Sequence, residues 1–325
     1  MNKPVKILAI DGGGIRGIIP AAVLAYMERA TGRRVAELFD LVAGTSTGGI
    51  LALGLTIPKS AGSRLYTAQH FVEMYEQQGC RIFSRSVLRR IVACNNLVEE
   101  KYGSAGIEAV LGEYFGDSRL RDAVTDVLIT SYEIERSFPF FFKSSNARER
   151  PDYDFPARSV ARATSAAPTY FEPLKLPSGT NSDYYTLIDG GVFANNPAAC
   201  ALVEARTTHP TAGDFIVVSL GTGTSNLSVS YGAARKWGVA RWAAPLLNIV
   251  FDSVSSTVDY QLRQLLPHCA GECKRYYLFQ TSLDGHTHAI DNASPANLHA
   301  LKSLAASLIA KESENLETLC EKLAE

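Results

Sequence analysis

Charge of one sign, long apolar runs and clustered cysteines are what this chain of 325 residues has little of. Lys and Arg number 32 against 33 Asp and Glu, a formal net charge of −1. That balance supplies no global basic field to recruit a nucleic acid polymer, although local patches remain open. No apolar run reaches the roughly 18 residues that a membrane span needs. The first residues lack the charged, apolar and small-residue succession of a secretory signal, because a strand pattern starts by residue 5. A cytoplasmic protein is therefore the expectation. Six cysteines (Cys80, Cys94, Cys200, Cys269, Cys273, Cys320) are scattered. Only Cys269 and Cys273 lie close together, and only His268 stands beside them, too few ligands for a zinc set. Reduced, packed thiols are expected, with no metal and no cofactor. No Gly-Lys-Ser/Thr follows a glycine run, which excludes a P-loop.

What is present reads as globular. Hydrophobic residues make up 46% and charged residues 20%, which rules out disorder, collagen and coiled coil. Val5–Ile10 is an apolar run ending at Asp11, the pattern of a buried parallel strand. Ile18–Ala30 carries helical spacing and stops near Gly32. Further strands are expected at Phe39–Ala43, Val124–Tyr132, Phe138–Lys143, Tyr184–Ile188 and Phe215–Leu220, and helices at Ile50–Leu55 and Pro197–Arg206. Residues 60–120 and 231–266 read as helical insertions, and 144–156 and 177–183 as loops. Strands alternating with helices predict a three-layer α/β/α fold, its central sheet mainly parallel and its helical insertions over the active-site edge. We expect one domain over 1–325, with a core at about 5–285 and an amphipathic C-terminal helix at about 295–325.

Three glycine-rich turns follow strands. The first is "DGGGIRG", Asp11 to Gly17. Its G-x-G-x-x-G spacing alone would suit a dinucleotide, but that fold needs an acid at the end of the second strand. Here Asp40 stands inside the second strand, which ends in Gly-Thr-Ser. The second turn is Gly44-Thr-Ser-Thr-Gly48, a G-x-S-x-G between a strand and an apolar helix. Gly44 and Gly48 relieve the crowding of a sharp turn, and Ser46 is pushed out at the positive end of a helix. The plain alternative is an ordinary Gly-Ser turn. The third is Asp189-Gly190-Gly191, after an apolar strand and before Asn195-Asn196-Pro197, where Asn196 reads as an N-cap and Pro197 as the first helical residue. Asp189 is then at the carboxyl end of a strand, the edge where chemistry gathers in open α/β sheets. By itself it could equally be a turn aspartate capping its own backbone.

In this order the three turns resemble the patatin-like phospholipases. Three more stretches fit: "ATSAAPTYFEP" (163–173), "GGVFANNPA" (190–198) and "VVSLGTGT" (217–224). The resemblance covers about residues 5–285. It implies a lipid acyl hydrolase of the phospholipase A type, cleaving fatty acyl esters of phospholipids or galactolipids. It further implies a Ser46–Asp189 dyad without histidine, the amides of Gly12, Gly13 and Gly14 as an oxyanion hole, and Arg16 as the motif's arginine. Some bacterial members of this family are anti-phage effectors switched on by cyclic nucleotides, so a small-molecule activator of unknown identity is compatible with the chain.

The chemistry is consistent with that reading. Converging glycine amides can hold an oxyanion. Arg16 could add charge there, brace the loop or touch a lipid phosphate. An aspartate in water is a weak base for an alcohol, so Asp189 is expected to be desolvated. Two other readings stay open. One is a histidine-triad hydrolase using His286 or His288; the other histidines, His70, His209, His268 and His299, sit at no obvious strand end. The other is a nucleotide-sensing protein using the glycine loop. For access to lipid, "YGAARKWGVARWAAPLLNIVF" (231–251) combines Arg235, Lys236 and Arg241 with Trp237 and Trp242, which suits peripheral contact with a bilayer. "RIFSRSVLRRIV" (81–92), with Arg81, Arg85, Arg89 and Arg90, is a second candidate. Either could instead be a packed or solvated helix, and either could form a lid.

Overall fold

A computed structural model of the chain describes residues 3–60, 62–83, 101–178, 183–225, 229–268, 274–283 and 287–325. Cys94, Cys269, Cys273, His286, Arg85, Arg89 and Arg90 lie outside the described residues.

The strands are β1 (Val5–Ile10), β2 (Leu41–Gly44), β3 (Asp126–Glu133), β4 (Phe138–Lys143), β5 (Leu174–Pro177), β6 (Tyr184–Asp189), β7 (Phe215–Leu220), β8 (Thr224–Ser225), β9 (Tyr276–Phe279) and β10 (Ser282–Leu283). Between and after them come α1 (Ile18–Thr31), α2 (Val35–Leu38), α3 (Thr47–Thr56), α4 (Ala68–Ile82), α5 (Ser104–Phe115), α6 (Ser144–Glu149), α7 (Ala157–Thr164), α8 (Gly191–Ala194) and α9 (Ala198–Thr208). The later helices are α10 (Tyr231–Ala234), α11 (Val239–Leu265), α12 (Pro295–Lys311) and α13 (Ser313–Ala324).

Among the described residues eight strands form one sheet in the order β5-β6-β3-β2-β1-β7-β9, with β4 also paired to β3. The block β3-β2-β1-β7-β9 is parallel; β4 and β6 run against it, and β5, antiparallel to β6, runs with it again. Helices cover both faces. In β1, Leu8 and Ile10 face α1, α3 and α12, whereas Ile7 and Ala9 face α9 and α11. All four are fully buried, which is why the run is apolar without alternation.

Local chemistry sets the element ends. Gly32 closes α1 in the left-handed conformation (φ 68°). Ser294 caps α12 through the Asn297 N–H, with Pro295 as the first helical residue. The expected C-terminal helix is divided at Glu312 into α12 and α13; Leu316, Leu319 and Leu323 of α13 join the core that Leu298, Leu301 and Leu308 of α12 enter. The expected loop at 144–156 holds α6 and a 3₁₀ turn at Pro151–Tyr153. β5 and β9, both of four residues and both at the sheet's ends, carry too few residues for a periodic signal. Helix α9 begins at Ala198, one residue later than expected. Asn196 still accepts from its first N–H (2.9 Å), with Pro197 in the cap position.

Candidate active site

The sequence "LVAGTSTGG" passes from β2 to α3 through one residue in an unusual conformation. Ser46 has φ 55° and ψ −122°, a strained backbone that costs about 1–3 kcal/mol in a non-glycine residue. Neighbouring bonds hold it there. The Ser46 N–H donates to Thr164 Oγ1 (2.8 Å) and its carbonyl accepts from the Ile50 N–H (3.1 Å). The Thr45 hydroxyl donates to the Ala194 carbonyl (2.6 Å) and accepts from Thr130 (2.7 Å). Backbone packing around the turn is tight. A Cβ on Gly44 would meet the Gly48 carbonyl oxygen at 2.2 Å, and one on Gly48 would meet that of Ile10 at 2.1 Å. Ser46 therefore stands at the N-terminus of α3, whose dipole favours negative charge on its oxygen.

Asp189 reaches the same place by a route that differs from the expectation. Its strand is not one of the parallel set. β6 runs antiparallel to β3, pairing Leu187 with Glu133 and Asp189 with Ser131. β3 continues beyond the end of β2, which stops where Gly44 pairs with Ile129. β6 thus travels inward from beyond the edge and ends level with Ser46. The Asp189 carboxylate stands beside the Ser46 side chain, both lining one cavity, and accepts the Gly191 N–H at 2.7 Å. Its own N–H donates to the Ala166 carbonyl (3.0 Å). Asp189 is 1% exposed. Burial raises its pKa from 3.8 to about 7, against the opposing pull of the Ser46 hydroxyl and the Gly191 N–H.

The glycine loop divides its polar groups between bracing and display. Gly12 is wholly committed: its N–H donates to the Asn195 carbonyl (3.0 Å) and its own carbonyl accepts from Thr222 (2.6 Å). The expectation that Gly12 offers its amide to a ligand is thereby corrected. The Gly13 carbonyl accepts from the Arg16 backbone N–H and Nε, both at 3.2 Å. Arg16 is buried and does not line the pocket; of its three possible roles, bracing the loop is the one its bonds fit. Burial lowers its pKa, opposed first by the nearby Asp252 carboxylate. The N–H groups of Gly13 and Gly14 donate to no described residue, and both glycines border the cavity that contains Ser46 and Asp189. Gly14 has φ +58°, and a Cβ there would strike the Ile290 carbonyl at 2.1 Å. Gly17 lets the loop pass against the side chains of Thr47 and Tyr75, and Gly190 packs on Thr130.

The cavity is a slot of about 640 Å³, its open mouth included. Beside Ser46 and Asp189 its walls are apolar: Ile50, Met74, Ile82, Phe83, Ile107 and Phe171, among others. No Lys, Arg or His among the described residues lines it. A nucleotide phosphate would find two amides but no cation there. Asp40, the acid considered for ribose, precedes β2 at the opposite edge, where its carboxylate accepts the Lys6 N–H (2.7 Å). His288 neighbours Asp252 rather than Ser46. His70 helps cap α4, while His209, His268 and His299 are outside the slot. No described group of three or more His, Cys, Asp or Glu is placed to hold a metal ion.

Several residues that complete the site carry no motif of their own. Thr164 holds the Ser46 amide. Asn195 holds Gly12 and donates to Ser255 of α11 (3.1 Å). Asp252 faces Arg16. Thr164 and Asn195 do fall within two of the family-like stretches; Ser255 and Asp252 gave no signal.

Comparison with known proteins identifies the family. The family model described as Patatin-like phospholipase matches residues 8–202. Patatin-like protein 4 of Arabidopsis thaliana is 32% identical, over 95% of this chain and 85% of its own. Patatin-T5 of Solanum tuberosum is 31% identical, over 99% and 89%. A third relative, 32% identical over 98% and 90%, is named "Probable inactive patatin-3-Kuras 1" of Solanum tuberosum. Full-length likeness therefore leaves catalysis to be argued from the site. Among solved structures, VipD from Legionella pneumophila aligns over 94% of this chain and 67% of its own at 11% identity, with a TM-score of 0.35. The chain belongs to the patatin-like phospholipase family of lipid acyl hydrolases.

Proposed function

We propose that Ser46 is the nucleophile and Asp189 the general base of an acyl transfer that hydrolyses fatty acyl esters of polar lipids, phospholipids or galactolipids. The observation that carries this reading is the Ser46 hydroxyl set beside a buried carboxylate on the wall of one apolar slot. A pKa of about 7 makes Asp189 a far better base than an exposed aspartate while leaving much of it ionised near neutrality.

Ser46 Oγ attacks the ester carbonyl as its proton passes to Asp189. The carbonyl oxygen becomes an oxyanion and accepts the N–H groups of Gly13 and Gly14. Losing one such donor costs about 3–4 kcal/mol. Gly12 and Arg16 act behind them, fixing the loop. The tetrahedral species collapses as Asp189 returns the proton to the departing alcohol, leaving an acyl-serine. Water then attacks the acyl carbon as Asp189 takes its proton; the second tetrahedral species breaks its bond to Ser46 Oγ, which recovers the proton from Asp189, and fatty acid leaves. The acyl chain lies along Met74, Ile82, Phe83, Ile107 and Phe171, where about 0.8 kcal/mol per buried methylene favours long chains.

Fluorophosphonate labelling and fatty-acid release, measured in parallel on wild type, Ser46→Ala and Asp189→Asn, test this. Wild type labels and releases fatty acid; Ser46→Ala does neither. Labelling and turnover that survive in Ser46→Ala would overturn the assignment.

A further inference from the structure

We infer that α10 and the first half of α11 form a docking face for an anionic lipid bilayer. The inference deepens the reading of the slot as a lipid-ester site and rests on it for what is delivered, but its observations are separate.

The first is composition. From Val229 to Phe251 the chain carries Arg235, Lys236 and Arg241 and no acid. Both tryptophans of the protein, Trp237 and Trp242, are here, their rings 5.2 Å apart and edge to face. None of the three cations is ion-paired to a described residue; the Arg235 guanidinium lies 6.0 Å over the exposed Tyr231 ring. The next acid in the chain, Asp252, faces Arg16 instead.

The second is the geometry of α11. Trp242, Leu246 and Ile249 stand at i, i+4 and i+7, one stripe of the helix. Leu246 is 49% exposed, Ile249 43% and Tyr231 81%. Phe251, about 200° around the helix from Ile249, points inward and lines the slot. Val258 and Leu262 continue that inner face into the core. The helix is thus a wall with lipid-sized apolar residues on its free side and the candidate site on the other. Ser255, on the inner side, binds Asn195, which holds the glycine loop.

The occupant follows from the mixture. Unpaired cations attract anionic headgroups, each worth roughly a five-fold gain in partitioning. Tryptophan and tyrosine prefer the headgroup level, and Leu246 and Ile249 reach the acyl boundary. A second protein copy would need acids facing this surface.

The experiment uses the full chain and its own tryptophans. Phosphatidylcholine vesicles, with and without phosphatidylglycerol, are titrated while Trp emission and its quenching by brominated acyl chains are recorded. Wild type and Ser46→Ala are expected to shift to the blue and be quenched on phosphatidylglycerol vesicles alone. Replacing Arg235, Lys236 and Arg241 together by Gln should lower the partition coefficient on the order of 100-fold. Leu246→Ser with Ile249→Ser should lower it about 10-fold or more. Both variants should keep hydrolysis of a soluble short-chain ester near wild type and lose hydrolysis of vesicle lipid, which also reports that they fold. Emission unmoved by anionic vesicles overturns the proposal. So does equal partitioning onto neutral ones, or a solution dimer that buries the tryptophans while vesicles go unbound. Loss of all esterase activity in wild type would instead overturn the reading of Ser46, leaving the fluorescence result to stand alone.

Discussion

The crevice at the ends of β1, β2 and β6 and the wall made by α10 and α11 are built on opposite terms. In the crevice, backbone packs on backbone, so that an added methyl group at Gly44, Gly48 or Gly14 meets a carbonyl oxygen at 2.1–2.2 Å. Around Gly232 of α10 and Gly238 before α11 an added methyl group would meet nothing within 4 Å. The crevice hides its aspartates; the wall displays Tyr231, Leu246 and Ile249. Chemistry that needs a hydroxyl, a carboxylate and two amides at fixed distances calls for the first kind of construction. Contact with a fluid lipid surface calls for the second.

The largest expected effect breaks the crevice side alone. Ser46→Ala should lower ester turnover on the order of 10⁴-fold or more, measured as fatty-acid release, with vesicle binding unchanged. Alanine keeps the Cβ that is held at φ 55°, so the backbone strain is unchanged and little change in melting temperature is expected.

Asp189→Asn comes next and has two readouts. Turnover should fall on the order of 10³-fold, because an amide takes no proton. In wild type, kcat/KM should rise with pH through about 7 as the base loses its proton. Stability runs the other way. The folded pKa lies above the unfolded one, so Asp189 costs nothing below about pH 4 and destabilises progressively as pH rises through about 7. The full difference is on the order of 4 kcal/mol. Thermal melts should therefore show Asp189→Asn close to wild type in acid and several degrees more stable at alkaline pH. A variant that is less stable at both would refute the desolvated base.

What could be read in advance divides along the same line. The strand cores of β1 and β7 were legible because both sheet faces are covered, leaving an apolar run with nothing else to mean. Ser46 was legible because G-x-S-x-G states its own steric problem. The position of Asp189 was expected from a rule about parallel strands, yet β6 is antiparallel and arrives at the edge only because β3 overruns β2. Strand direction depends on partners far along the chain, which local pattern does not encode. The commitment of the Gly12 amide was hidden for the same reason: its acceptor is Asn195, remote in sequence and adjacent only in the fold. Over α10 and α11 the cations and tryptophans were visible as composition, but the outward stripe of Trp242, Leu246 and Ile249 needed the helix phase that Phe251, Val258 and Leu262 fix from inside.

The smallest expected effects sharpen the comparison most, because one chemical change is made on both sides. Gly48→Ala adds a methyl group against the Ile10 carbonyl at 2.1 Å, where two backbone segments must separate. The cost should be about 1–3 kcal/mol or more, seen as a lower urea midpoint, and turnover should fall with it because Ser46 moves. Gly232→Ala adds the same methyl group to an exposed helical position with open space around it. There the variant chain loses less backbone freedom on folding and gains roughly 0.5–1 kcal/mol of helix preference. α10 is one short turn, so the gain should be local: slower amide exchange over Tyr231–Ala234 with an unchanged global midpoint. If alanine at 232 destabilised the whole chain as alanine at 48 does, the wall would be packed like the crevice, and its exposed side chains would be part of the core's support, not a surface left free for lipid.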